Sequence, residues 1–370
     1  MKVSIFVNLF FFLKVNSQSV PNVCFCVTAG YCNNNNNNNG GNNGNNQDGA
    51  NQIDIRIQAN SNLIPSSQTG SQFNLTYPAS SGINYVVNNN QNCQNGLQSC
   101  CPSVGYQCGV VYPPIQGAKV PNTAAGETQY GSYPWMAVIV EVRNGEQYFV
   151  GTGALIDNQH VLTVAHKVYN KTNNFQTLGV LFGEWDAGSN SELISSQFFT
   201  VIRIFTHPQA NYNNLKNDVA IIRLSSLVQL GQTPTITTAC LPSSSIPMNI
   251  RCMVAGWGVN TFGSDSFSTI QKEVDIPLID ANQCQNLLRA TRLGSNFILD
   301  SNSFICGGGE NGKDACTGDG GSPLMCKILN QWYVFGLVAW GIGCGQANVP
   351  GVYVNVANYV NWIQQTTRQN

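Results

Sequence analysis

This sequence predicts an all-β fold preceded by a small disulfide-rich module, and three observations carry that expectation. From Gly131 onward, short apolar runs (PWMAVIVEV 134–142, GALID 153–157, HVLTVAH 160–166, DVAIIRL 218–224, WYVFGLVAW 332–340) alternate with Gly, Asn and Ser turns. Several short strands at such spacing indicate an antiparallel sandwich or barrel. The second observation is the 14 cysteines, which fall into two groups of seven on either side of residue 110. The third is a leader-like start: Lys2, an apolar run through Leu13, then polar Asn16-Ser17-Gln18. That run is too short to span a bilayer and reads as a secretory signal over residues 1–17, which places the cysteines in a compartment where disulfides persist.

The elements follow in order. After the leader comes a module at 18–108 holding Cys24, Cys26, Cys32, Cys93, Cys100, Cys101 and Cys108. Its middle, 33–92, opens on NNNNNNNGGNNGNNQDG, too polar to offset the entropy of ordering, and reads as a disordered insertion. Asn74-Leu75-Thr76 and Asn170-Lys171-Thr172 are glycosylation sequons. Residues 109–121, rich in Pro, Ala and Gly, read as a linker, and 122–370 as the β domain. Only ANYVNWIQQTT (357–367) has a helical pattern. Cys240, Cys252, Cys284, Cys306, Cys316, Cys326 and Cys344 lie in the β domain, and two odd sets close fully only if one bridge joins the halves. A net charge of −1 with 9% charged residues gives no electrostatic case for nucleic acid or an anionic membrane. No later stretch is apolar enough to anchor the mature chain in a bilayer.

The chemistry concentrates around CTGDGGSPLMC (316–326), a loop of the kind that presents a nucleophilic serine, yet Gly320 follows Asp319 and the nearest hydroxyl is Ser322. Serine acyl transfer needs a hydroxyl, a base and a carboxylate that orients the base. His166 in LTVAH and Asp218 in NDVAIIRL supply the latter two. The order His166, Asp218, GDGGSP, together with YPWMAVI, VAGWG, AWGIGCG and PGVYVNV, resembles the chymotrypsin-like serine proteases over about residues 122–370.

The resemblance implies a chymotrypsin-like double antiparallel β-barrel with the site between the barrels. It makes His166 the base, Asp218 its orienting carboxylate, and Gly320 the occupant of the nucleophile position. Gly318 and Gly320 would supply oxyanion donors, and Asp314 the acid that selects Arg and Lys, in a pocket left open by Gly341 and Gly351. It implies bridges Cys252–Cys326, Cys284–Cys306, Cys316–Cys344 and Cys108–Cys240. Gly151 and Lys167 occupy the two positions of a further bridge that usually ties the histidine loop, and its loss is expected to loosen that loop. The N-terminal cysteines resemble the clip domain of arthropod proteases, which implies Cys24–Cys100, Cys26–Cys93 and Cys32–Cys101. LFGEWD with Glu192 lies where some relatives bind calcium, so Glu184 and Glu192 are the metal candidates, at an unusual spacing; no other cofactor is expected.

Loss of the nucleophile costs about a million-fold in a related triad enzyme, and Ser322 stands two residues from the required place. The reading is therefore a secreted, non-catalytic clip-domain serine protease homologue. Its expected partners are proteins of an extracellular protease cascade, such as prophenoloxidase and its activating protease in innate immunity and melanisation; the sequence leaves the oligomeric state open. An active trypsin-like protease and an extracellular adhesion or developmental regulator are the alternatives. Activation by cleavage is expected after Lys119, the only basic residue between Cys108 and Gly131.

Overall fold

The structure is a computed structural model that describes residues 2–3, 25–28, 52–56, 74–78, 85–87, 97–102, 107–112, 115, 118–189, 192–243, 250–259 and 267–368. It divides into two compact units, one of 1–8, 108–111 and 118–370, the other of 9–107 and 112–117.

The larger unit is built from two closed antiparallel barrels. In the first, strands Glu146–Leu155, Met136–Arg143, Leu178–Phe182, Gln197–Thr206, Ala220–Leu224 and His160–Thr163 pair in that order, and the ring closes where Ala154 faces Leu162. The second runs Arg251–Gly256, Lys272–Ile279, Phe304–Gly308, Pro350–Asn355, Gln331–Trp340 and Pro323–Ile328, closing where Val254 faces Leu324. Closure removes the unpaired edges that a β-rich chain would otherwise expose. A sequence such as MAVIVE, buried at every position, suits strands covered on both faces, here by the barrel interior and by the packing outside it. One apolar cluster spans both barrels, with Ile139, Val180 and Ile222 from the first and Met325, Leu337 and Val354 from the second.

The expected C-terminal helix is present as Val360–Thr367 after a 3-10 turn, and its Ile363 is fully buried. Besides the one-turn helix Ala165–Val168, a further α-helix, Ala281–Arg289, corrects the expectation of a single helical segment. Its signal is short but physical: the Asp280 side chain accepts from the N–H groups of Asn282 and Gln283, and Cys284 and Leu288 are buried on one face.

The smaller unit contains one five-stranded sheet whose strands are Phe25–Thr28, Gln52–Arg56, Asn74–Pro78, Tyr85–Val87 and Leu97–Pro102. Three of these strands fall within the span 33–92. Short alternating runs such as QIDIR interrupt the polar tract and carry the period-2 pattern that composition alone averages away. The asparagine run itself and the clip pairings Cys24–Cys100, Cys26–Cys93 and Cys32–Cys101 lie outside the described residues.

Cys108 is bonded to Cys240. The segment 108–111, read with the N-terminal module and linker, groups with the barrels instead. Gly109 donates to Thr238 and accepts from Trp332, and its φ is +69°. A Cβ there would lie 2.4 Å from the Trp332 carbonyl oxygen, so only glycine fits. Cys252–Cys326, Cys284–Cys306 and Cys316–Cys344 are also bonded.

Lys119 and Val120 are exposed, the latter 87% accessible, so the bond between them is open to a protease. Cleavage there by an enzyme specific for basic residues should leave a single species on a non-reducing gel and two chains on a reducing one. Separation of the chains without reductant would contradict the Cys108–Cys240 tether.

Candidate functional site

His160–Thr163 leaves the first barrel and turns into the one-turn helix Ala165–Val168, which delivers His166 to the junction with the second barrel. Asp218 precedes the strand Ala220–Leu224, which pairs with His160–Thr163, so the two side chains arrive from neighbouring strands. Asp218 Oδ2 lies 2.6 Å from His166 Nδ1, and Oδ1 accepts from the His166 N–H at 2.7 Å. The carboxylate is buried and the imidazole partly open. The histidine is thus held at ring and backbone by one carboxylate, the arrangement that orients a general base.

Opposite the imidazole stands Gly320. A Cβ placed on it would lie 3.5 Å from His166 Nε2, so this position faces the base but carries no group for it to deprotonate. Ser322 does not take its place. It is fully buried, and its hydroxyl lies 2.7 Å from that of Thr152. The preceding Gly321, at φ +89°, lies so close beneath the Thr152 carbonyl that a Cβ would come within 2.2 Å of its oxygen. Ser322 is therefore a structural hydroxyl under the loop.

The loop is pinned by Asp319. Its carboxylate accepts from the backbone N–H groups of Gly258 (2.9 Å) and Cys316 (3.0 Å). Burial pushes its pKa up, opposed by those two bonds and by the charge of Lys167. Gly256 and Gly258 leave room for it, since a Cβ on either would come within 2.4 Å of a carboxylate oxygen.

Lys167 is the residue whose weight the sequence did not reveal. Its stem packs over Gly151, and its Cε lies 2.5 Å from where a Cβ of Gly320 would be. It thus fills the space beside both glycines, where a looser histidine loop was expected. Burial pushes its pKa down, while Asp319 and Asp218 favour its charged form. Its ammonium makes no hydrogen bond or ion pair among the described residues. The signal in the sequence was the joint departure at 151 and 167; side-chain volume, which makes a lysine the occupant, was not legible.

A cavity of about 200 Å³ opens beside these groups, lined by His166, Lys167, Asp314, Gly318, Gly320, Gly341 and Gly351 among others. Asp314 Oδ2 accepts from the Gly345 N–H at 3.1 Å, while its buried Oδ1 has no hydrogen-bond partner among the described residues. Burial raises its pKa to about 6; the Gly345 and Ala315 N–H groups oppose this, and Asp319 adds to it. The Tyr353 hydroxyl beside it is also buried, with no partner among the described residues. Such an acceptor site suits a cationic guest.

The calcium candidates Glu184 and Glu192 do come together, but as a mutually hydrogen-bonded pair, and burial pushes Glu184 up to about 8. The backbone turns N–H donors toward them, from Trp185 and Asp186 respectively. Among the described residues no group of three or more acidic, histidine or cysteine side chains could hold a metal. Asn170 is exposed on a short 3-10 turn; Asn74 lies on a strand of the smaller unit.

Two barrels, a junction between them and a His–Asp pair facing a glycine-rich loop define a protein of the chymotrypsin-like class. The chain belongs to the trypsin family, whose model matches residues 124–363. Within that family it is a catalytically inactive clip-domain serine protease homologue. It is 46% identical over 350 residues, 95% of this chain and 68% of the relative, to inactive CLIP domain-containing serine protease A3 of Aedes aegypti. It is 39% identical to phenoloxidase-activating factor 2 of Galleria mellonella, over 67% of this chain and 84% of that one. It is 37% identical to inactive CLIP domain-containing serine protease A8 of Anopheles gambiae, over 74% and 79% of the two chains.

Two outcomes follow from the geometry. The native protein should give no fluorophosphonate adduct. Gly320→Ser combined with Lys167→Ala should label at least about tenfold faster than Gly320→Ser alone, because the lysine stem displaces the new hydroxyl from attack geometry; equal rates, measured by mass spectrometry, would remove Lys167 from the account.

An aryl amidine should bind the cavity through ionised Asp314. A cation binds the deprotonated carboxylate, so affinity should rise with pH through about 6 and fall by about tenfold per unit well below it. Calorimetry on native protein and on Asp314→Asn checks this, the variant showing weak binding without that pH dependence.

Proposed function

We propose that this chain is a secreted, non-catalytic cofactor of an extracellular protease cascade of the kind that activates prophenoloxidase in innate immunity and melanisation. One observation carries the reading. The position facing the ordered His166 is Gly320, which has no side chain, while the loop, the His–Asp pair and the cavity around it are intact. Gly320 in place of the nucleophilic serine is what removes the activity. The buried Ser322 argues against an active protease with shifted spacing. The similarity to a phenoloxidase-activating factor and to several inactive CLIP proteases supports a role through binding.

The four bonded cysteine pairs suit the extracellular milieu, and no helix among the described residues is long and apolar enough to cross a membrane. A partner protease of trypsin-like specificity cuts after Lys119. In the uncut chain this residue ion-pairs with Asp186 at 3.4 Å and lies over the Trp185 ring. Cleavage releases that segment from the surface of the first barrel and generates the partner-binding form.

Reconstitution tests the reading. Native protein should raise phenoloxidase output when added to prophenoloxidase and its activating protease, and Lys119→Gln should remain uncut and fail to do so. Full stimulation by the intact Lys119→Gln protein would refute the processing step. No stimulation by cleaved native protein would refute the cofactor role.

A further inference from the structure

The residues that line the cavity carry complementary unpaired groups. The Lys167 ammonium, beside Gly320, makes no hydrogen bond or ion pair among the described residues. The N–H groups of Gly318 and Gly320 likewise have no acceptor there. Asp314 Oδ1 and the Tyr353 hydroxyl are buried and have no partner among the described residues. All five residues line one cavity, of about 200 Å³.

Buried charges and donors left unpaired are costly, and a ligand that pairs them recovers that cost on binding. The ligand must bring an anion to Lys167 and a cation to Asp314. We infer that the site is a receptor for the carboxyl end of a polypeptide that terminates in arginine or lysine. The terminal carboxylate pairs with Lys167 and the Gly318 and Gly320 N–H groups, and the basic side chain reaches Asp314.

A chain end fits where an internal residue does not. The carbonyl of an internal peptide bond is neutral, and the chain beyond it must pass the space that Lys167 fills in front of Gly320. A terminus stops there and presents a full negative charge to the ammonium, in a partly dehydrated site where such a pair is stronger than in water. Ends of this type are what a trypsin-like enzyme creates whenever it cuts. The site would therefore read the fact of cleavage in a neighbouring protein, distinguishing the cut chain from its precursor.

The inference rests on the non-catalytic reading of this same site. Its test reads binding rather than cascade output, so that failure of either can be told from failure of the other. Three N-acetylated peptides of equal length are titrated into the full-length protein by fluorescence anisotropy: one ending in arginine with a free carboxylate, its C-terminal amide, and one ending in alanine with a free carboxylate. The arginine acid should bind at least about tenfold more tightly than the amide, the loss expected on removing one charge-assisted interaction. It should exceed the alanine acid by a similar factor. Lys167→Met, which keeps the stem and removes the charge, should bring the acid to the level of the amide without weakening the amide. Equal binding of acid and amide to native protein, or binding of neither, would overturn the inference. So would a preference for the acid that survives in a folded Lys167→Met protein. The native comparison needs no variant and stands even if Lys167→Met does not fold.

Discussion

The active-site region of this molecule depends on one enclosed carboxylate. Asp319 is taken out of water at the barrel junction, and among the described residues its carboxylate hydrogen-bonds only the N–H groups of Gly258 and Cys316. An enclosed carboxylate tolerates little displacement, because each lost bond leaves charge uncompensated in a low-dielectric setting. The loop is therefore fixed at its centre. Around that point it turns through the Asp319 N–H to the Cys316 carbonyl and the Ser322 N–H to the Asp319 carbonyl, and Cys316–Cys344 closes it behind. None of these constraints involves a hydroxyl at position 320. That independence explains how a hydrolase-like loop keeps its shape when the chemistry is gone.

Gly151, Lys167 and Gly320 form one arrangement of volume. A disulfide expected at the first two positions would have occupied the space now taken by the lysine stem, and a side chain on Gly320 would compete for the space of its Cε. Interiors are packed to near-crystalline density, so such exchanges happen in concert. The result places a cation among Asp319, Asp218 and His166, where an ordinary hydrolase centre would place a neutral nucleophile. The histidine stays ordered because its orientation comes from Asp218, which this exchange does not touch.

Sequence alone made much of this molecule legible. The alternation of short apolar runs with turn residues gave the all-β class, and the His166, Asp218, GDGGSP order located the site. These features are local: a strand's period, or a motif's residue types and spacing, survives in one dimension. The Asp280-capped helix was missed because nine residues hold too few turns for the period to stand out, leaving the cap as the main signal. Short alternating segments within 33–92 are hard to read because composition over a long window outweighs five-residue alternations.

Sequence by itself determined that the position after Asp319 has no side chain, and so no nucleophile of its own. Only the tertiary structure decided what fills the space. Ser322, two residues away in the chain, turns out to be sealed against Thr152, while Lys167, more than a hundred positions distant, lies within contact of Gly320. The reason is physical: reactivity depends on which atoms a residue bears, whereas packing depends on which distant segments the barrels bring within a few ångströms of one another.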